Sequence, residues 1–128
     1  MLKIPIDILI VDDEQDFVEM LTMRLIDEGH RVRAAYDGDE GLAALEEAPC
    51  DVVILDIRMP RMDGITALKE IKRLYPVVEV ILLTGHGAVD TAVEGLKSGA
   101  FDYVQKPANF AELLEKLAAA RDRKVEHE

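Results

Sequence analysis

Asp51-Val52-Val53-Ile54-Leu55-Asp56-Ile57-Arg58-Met59-Pro60-Arg61-Met62-Asp63-Gly64 is an apolar run that closes on a carboxylate and passes into a loop. Its first half is short, apolar and β-branched, the pattern of a strand buried on both faces. Asp56 closes that run, and Pro60 and Gly64 force an irregular loop before the next helix. A carboxylate at the C-terminal tip of such a strand lies where ligands bind in open α/β sheets. A residue needed only for packing belongs inside the strand, so Asp56 reads as a site residue.

The same pattern repeats on either side. Upstream, residues 6–11 form a nearly all-apolar strand that ends in Asp12-Asp13-Glu14. Asp13 is expected to cap the next helix, whose apolar positions are Phe17, Met20, Leu21, Leu25 and Ile26 and which Gly29 stops. Residues 31–36 alternate weakly, as an edge strand does. Asp37 caps a helix carrying Leu42 and Leu45, which Pro49 ends. Downstream, Asp63 caps a helix with Ile65, Leu68, Ile71 and Leu74 on one face, and Pro76 breaks the chain. Residues 78–84 form a fourth strand with Thr84 at its tip, followed by the turn Gly85-His86-Gly87. The helix over 88–98 reads as weak. Gly95 costs it about 1 kcal/mol relative to Ala, and Val89, Val93 and Leu96 make only a thin apolar stripe. Residues 101–105 form the fifth strand, ending at Lys106-Pro107. Asn109 and Glu112 are spaced as a capping box for the last helix, which carries Phe110, Leu113, Leu114 and Leu117. The charged tail over 121–128 is expected to fray.

Composition bounds the function. With 128 residues, 49% of them hydrophobic, one domain with a sizeable core is expected. Its core spans about 6–119, and 120–128 is a charged tail or the start of a linker. The net charge of −11 argues against direct nucleic-acid binding, which needs clustered Lys and Arg. No apolar run is long enough to span a bilayer, and the N-terminus lacks a signal peptide's apolar stretch. Cys50 is single, so it forms no internal disulfide and reads as an inert thiol. These features together predict a cytoplasmic protein with no membrane partner. His30, His86 and His127 have no metal-ligand spacing to one another.

Five strands alternating with five helices imply an α/β fold, a parallel doubly wound sheet with right-handed crossovers. The strand tips then share one edge. They carry Asp12-Asp13, Asp56, Thr84 and Lys106. Two unit charges 4 Å apart interact by about 4 kcal/mol at an effective dielectric near 20, so three carboxylates repel strongly unless a cation joins them. All-oxygen ligation suits Mg²⁺. Without metal, repulsion should raise at least one carboxyl pKa. An Asp beside Mg²⁺ and Lys can act as a nucleophile toward a phosphoryl group, with a Thr84 hydroxyl donating to a phosphate oxygen. Helix capping explains Asp12 or Asp13 alone, and an ordinary strand end explains Thr84 alone. Neither explains all the tips together.

On these residues the chain resembles the response-regulator receiver domains of two-component signalling. The resemblance runs from Ile6 to about Ala119. It is carried by Asp12-Asp13, by Asp56 in its Asp-Ile-Arg-Met-Pro-Arg-Met-Asp-Gly run, by Thr84-Gly85 and by Lys106-Pro107. It implies a flavodoxin-like (βα)5 fold with strand order 2-1-3-4-5. It also implies that Asp56 is the phosphoacceptor, served by a histidine kinase, a phosphotransfer protein or a small phosphodonor. Asp12 and Asp13 would hold Mg²⁺ together with Asp56 and the backbone carbonyl of Arg58, and Lys106 would bind phosphate. The Lys106–Pro107 bond would be cis. Thr84 and Tyr103 would be the switch pair, and Arg58 and His86 would border the path of water to the acyl phosphate. The partner surface would be the 88–98 helix, the 101–105 strand and the last helix, taking an output domain or a second copy. The run Gly99-Ala100-Phe101-Asp102-Tyr103, with Thr84-Gly85-His86-Gly87, is most similar to receivers that precede ATPase transcription activators. Ala108 departs from the Phe that many of these carry. Two other classes fit the residues less well. One is a Mg²⁺-dependent phosphatase with an aspartyl nucleophile, for which the chain has no cap-sized insertion. The other is a receiver-like module that is never phosphorylated.

Overall fold

The computed structural model describes residues 4–85, 88–106 and 109–128. The strands are β1 (Asp7–Val11), β2 (Arg31–Ala35), β3 (Val52–Asp56), β4 (Glu79–Thr84) and β5 (Asp102–Gln105). They form one parallel sheet in the order β2-β1-β3-β4-β5. The helices α1 (Gln15–Asp27), α2 (Gly38–Glu47), α3 (Gly64–Leu74), α4 (Val89–Lys97) and α5 (Phe110–His127) alternate with the strands. This is the flavodoxin-like α/β arrangement expected from the sequence.

Strand alternation explains the two cores. Successive side chains point to opposite faces. Ile8, Ile10, Val52, Ile54, Ile81 and Leu83 face α1 and α5, where Val18, Leu21, Leu25, Leu113 and Leu117 meet them. Leu9, Val11, Val53, Leu55, Val80 and Leu82 face the other side, with Leu45, Leu68, Ile71 and Ala92. β1, β3 and β4 are covered on both sides, which is why they read as unbroken apolar runs. β2 is an edge strand and mostly half-exposed.

The helix starts obey local chemistry at three of the expected places. Asp37 accepts from the Glu40 N–H at 2.8 Å, Asp63 from Thr66 at 2.8 Å, and Asn109 from Glu112 at 3.1 Å. The Glu112 carboxylate does not complete the capping box; it pairs with Lys116.

Four expectations are corrected. Asp13 does not cap α1. The N-cap is Glu14, without a side-chain cap bond, and Asp12 Oδ1 accepts the Glu14 N–H at 2.9 Å. Met20 and Ile26 point outward and Val18 inward, because α1 turns its Val18-Leu21-Leu25 stripe to the sheet. In α4 the stripe Val89, Val93 and Leu96 is exposed, and the helix buries Ala92 and Gly95 instead. A Cβ on Gly95 would stand 2.2 Å from Leu82 Cδ1. Gly95 is therefore a close-approach residue that lets α4 lie against β4, rather than a mere weakness. Finally, 121–128 does not fray as a tail. α5 continues to His127 and is tied down where Lys124 Nζ meets Asp51 Oδ1 at 3.0 Å. The residues His86, Pro107 and Ala108, singled out in the sequence, lie outside the described residues.

Candidate functional site

The C-terminal edge of the sheet gathers the expected groups. β1 delivers Asp12, which is fully buried, and the exposed Asp13 follows. β3 delivers Asp56, 5% exposed. β4 lies beside β3 with Leu83 opposite Asp56, so Thr84 falls one position beyond it, buried at the same edge. β5 leads to Lys106, whose backbone N–H donates to the Thr84 carbonyl at 2.8 Å.

The loop after Asp56 is held back against its own strand. The Gly64 N–H donates to the Ile57 carbonyl at 2.8 Å. A Cβ at Gly64 would come within 2.3 Å of the Asp56 carbonyl oxygen and 2.6 Å of Ile57 Cα. Only glycine fits there, which explains the Asp63-Gly64 pair in physical terms. Arg61 adopts a positive φ of 69° in this loop. The Arg58 N–H donates to Asp56 Oδ1 at 3.2 Å, fixing one carboxylate oxygen and leaving Oδ2 toward Lys106.

Carboxylate oxygens of Asp12, Asp13 and Asp56 all lie within 4.8 Å of one another. Burial, then the Asp12 charge, pushes Asp56 up to about 6, against the pull of Lys106 and the Arg58 N–H. Repulsion thus acts as expected, but desolvation is the larger cause. Lys106 Nζ lies 2.7 Å from Asp12 Oδ2, 2.9 Å from Glu14 Oε1 and 3.6 Å from Asp56 Oδ2. Burial works against the ammonium, but these carboxylates outweigh it and raise its pKa above the ordinary lysine value. The donor set is all oxygen, one member is exposed to solvent, and one ammonium serves several carboxylates. It therefore fits a hard divalent cation such as Mg²⁺.

Tyr103 stands two positions before the end of β5, opposite Leu82, half-buried against the α2–α4 side of the core. The Lys116 ammonium lies 5.7 Å from its ring centroid. Arg58 is exposed and, with Asp13, Met59, Thr66, Lys69 and Glu94, lines an open groove of about 710 Å³ beside the site. Sequence reasoning missed two partners of Lys106. They are Glu14, and Phe17, whose ring centroid is 4.6 Å from Nζ. Glu is not among the preferred N-cap residues, which sets Glu14 apart without naming its partner.

The sequence matches the family described as Response regulator receiver domain over residues 8–118. It is 44% identical over 120 residues to the transcriptional regulatory protein ZraR of Salmonella typhimurium, covering 94% of this chain and 27% of that one. Among solved structures, NtrX from Brucella abortus in complex with ADP superposes with a TM-score of 0.90 at 37% identity, over 94% of this chain and 28% of that one. A response regulator receiver domain protein from Clostridium thermocellum gives 0.90 at 37% identity, over 94% of this chain and 98% of its own. The chain thus spans about a quarter of the length of the curated relatives it matches. A transcriptional regulator and an ADP-bound protein among these matches agree with the resemblance to receivers of ATPase activators.

Proposed function

The chain belongs to the response regulator receiver domain family, and from that premise we propose that it is a phosphoacceptor switch with Asp56 as its nucleophile. The observation that carries the proposal is the edge itself. A nearly buried aspartate is set between an acidic pair that fits a divalent cation and a lysine 3.6 Å away. An Asp56 oxygen attacks phosphorus. The bond to the donor's leaving group breaks, the electron pair leaves with that group, and an acyl phosphate forms. Mg²⁺, when bound, supplies positive charge against the transferring phosphoryl oxygens. Asp13, Asp56 and the Arg58 carbonyl would hold it, with Asp12 acting directly or through water. Lys106 and the Thr84 hydroxyl bind phosphate oxygens.

The receiver unit is the span 1–128, with its core over 6–119. Its donor is a histidine kinase, a phosphotransfer protein or a small phosphodonor, in the cytoplasm. No described helix is long and apolar enough to cross a membrane. Thr84 and Tyr103 carry the change to the face made by the 88–98 helix, the 101–105 strand and the last helix. Val89, Val93 and Leu96 are exposed there, which suits an output domain or a second copy. Arg58 shields the acyl phosphate from water, and His86 matters less. The role is that of a switch rather than a turnover enzyme.

Incubation with a radiolabelled small phosphodonor and Mg²⁺ tests this. Wild type takes up one phosphoryl group and Asp56→Asn takes up none. Equal incorporation in that variant would falsify the assignment. Fast multiple turnover would favour a phosphatase, and no labelling of wild type an inert module. Thr84→Ala still accepts phosphate but transmits it poorly. Identical amide shifts in the two phosphorylated proteins around Tyr103 would exclude that role.

A further inference from the structure

We propose that Glu14 is a positioning residue: it holds the Lys106 ammonium back from Asp56, and its release accompanies phosphorylation. This rests on the reading of Asp56 as phosphoacceptor.

An ammonium has three donors. Lys106 Nζ meets Asp12 Oδ2 at 2.7 Å and Glu14 Oε1 at 2.9 Å, but stands 3.6 Å from Asp56 Oδ2, beyond hydrogen-bond range. The Phe17 ring, 4.6 Å from Nζ, adds a favourable cation–aromatic contact. Asp12, Glu14 and Phe17 all belong to the end of β1 or the start of α1. The lysine is thus drawn toward that side of the site and away from the nucleophile.

The helix does not account for the Glu14 side chain. Glu14 is the N-cap of α1, yet it makes no cap bond, and its own N–H is met by Asp12. The acidic charge that a helix start favours is already present at Asp16 in the first turn. Its carboxylate is committed to Lys106 instead.

Of the two carboxylates gripping Lys106, one is easy to give up. Asp12 is fully buried, so losing its cation strands a charge away from water. The Glu14 side chain is 65% exposed, and water can take the lysine's place on it at once. When phosphoryl oxygens arrive at Asp56, Glu14 is the partner that yields. It sets how readily Lys106 becomes available.

The test uses Mg²⁺ with beryllofluoride, a mimic of the phosphoryl group on aspartate. Glu14→Gln keeps the shape and removes the charge. It should bind beryllofluoride about two- to five-fold more tightly than wild type, the range that loss of an exposed ion pair allows. The same substitution in a Lys106→Met background should bring no gain, since the effect runs through the lysine. Unchanged or weaker binding in Glu14→Gln overturns the proposal. So does an equal gain in both backgrounds, which would reduce Glu14 to a repulsive charge near an anion. The Lys106 side-chain NMR signals give a second, independent reading. They should differ between wild type and Glu14→Gln in the free proteins and coincide in the two complexes. A difference that persists unchanged in the complexes shows that Glu14 never lets go, and overturns the proposal. Absence of beryllofluoride binding to wild type would instead count against Asp56 as the acceptor.

Discussion

The two ends of the sheet use the same residue types to opposite effect. At the N-terminal edge Asp7 pairs with Arg31, Asp51 with Lys124, and Glu79 with both Lys72 and Arg123. Asp51 also accepts the Asp7 N–H at 2.9 Å. Lys72 caps the turn before β4 through the Pro76 and Val78 carbonyls. Every one of these carboxylates has a cation. At the C-terminal edge Asp12, Asp56 and Glu14 share one lysine, and Asp13 stands beside them. The pKa shifts follow suit. The Arg31 hydrogen bond holds Asp7 below the usual carboxylate range, whereas burial and Asp12 lift Asp56 to about 6. Acidic residues therefore do not by themselves mark a site. A shortage of positive charge around a buried one does, because folding retains it at a cost that a ligand can relieve.

The largest effect of removing an acid should change sign between the edges. Asp51→Ala leaves the Asp7 N–H without its acceptor and the mostly buried Lys124 with only the half-exposed Glu128, and should cost about 2 kcal/mol in urea unfolding. Asp56→Asn, without metal at pH 7, should instead stabilise the protein by on the order of 1–2 kcal/mol, since a raised carboxyl pKa is a folding penalty on the charged form. Asp13→Asn should act in the same direction more weakly, while reducing Mg²⁺ affinity in a titration. If Asp56→Asn proves as destabilising as Asp51→Ala, the contrast between the edges is wrong.

The pH dependence separates the edges again. The folded-state pKa of Asp56, about 6, lies above the ordinary carboxyl value of 3.8, so between those values the folded protein binds more protons than the unfolded one. Metal-free stability should fall as pH rises through 6, and Asp56→Asn should lose that slope. Asp7 has the reverse sign. Its depressed pKa contributes stability above about 4 that is lost as pH falls through the folded value. Unfolding midpoints from pH 3 to 8 would show both. A wild-type stability that rises steadily from pH 4 to 7 without metal would contradict the assignment to Asp56.

The legibility of the sequence follows the same division. The strands could be read because β1, β3 and β4 are buried on both faces, so burial wrote itself as unbroken Val, Ile and Leu. The site could be read because each group stands at a strand tip, where parallel topology alone brings residues distant in sequence together. Contacts made by side chains reaching sideways were not legible. Nothing local says that Glu14 turns to Lys106, 92 residues away, or that Lys124 finds Asp51 and so keeps α5 helical to His127. The packing of α4 was not legible for a related reason. Its buried positions are Ala92 and Gly95, small because Leu82 leaves no room, and an apolarity count overlooks small residues.

The smallest effect tests whether pairing alone gives the N-terminal edge its strength. Arg31 and Asp7 form a close ion pair, but their side chains are 65% and 41% exposed. Water already solvates both ends, and salt screens what attraction remains. The Asp51–Lys124 pair is different: the side chains are 19% and 16% exposed, and Asp51 also satisfies a backbone N–H. If desolvated partners left unmet are what cost stability, Arg31→Met should leave the unfolding midpoint nearly unchanged at 0.15 M salt, and added salt should remove any residue of an effect. Asp51→Ala should keep most of its cost at high salt, because the missing acceptor for the Asp7 N–H is not a screened interaction. Comparable losses from both substitutions would mean that net charge balance, rather than the burial of each pair, stabilises this edge. The cost of Asp56 would then come from its shortage of cations alone, with burial adding nothing.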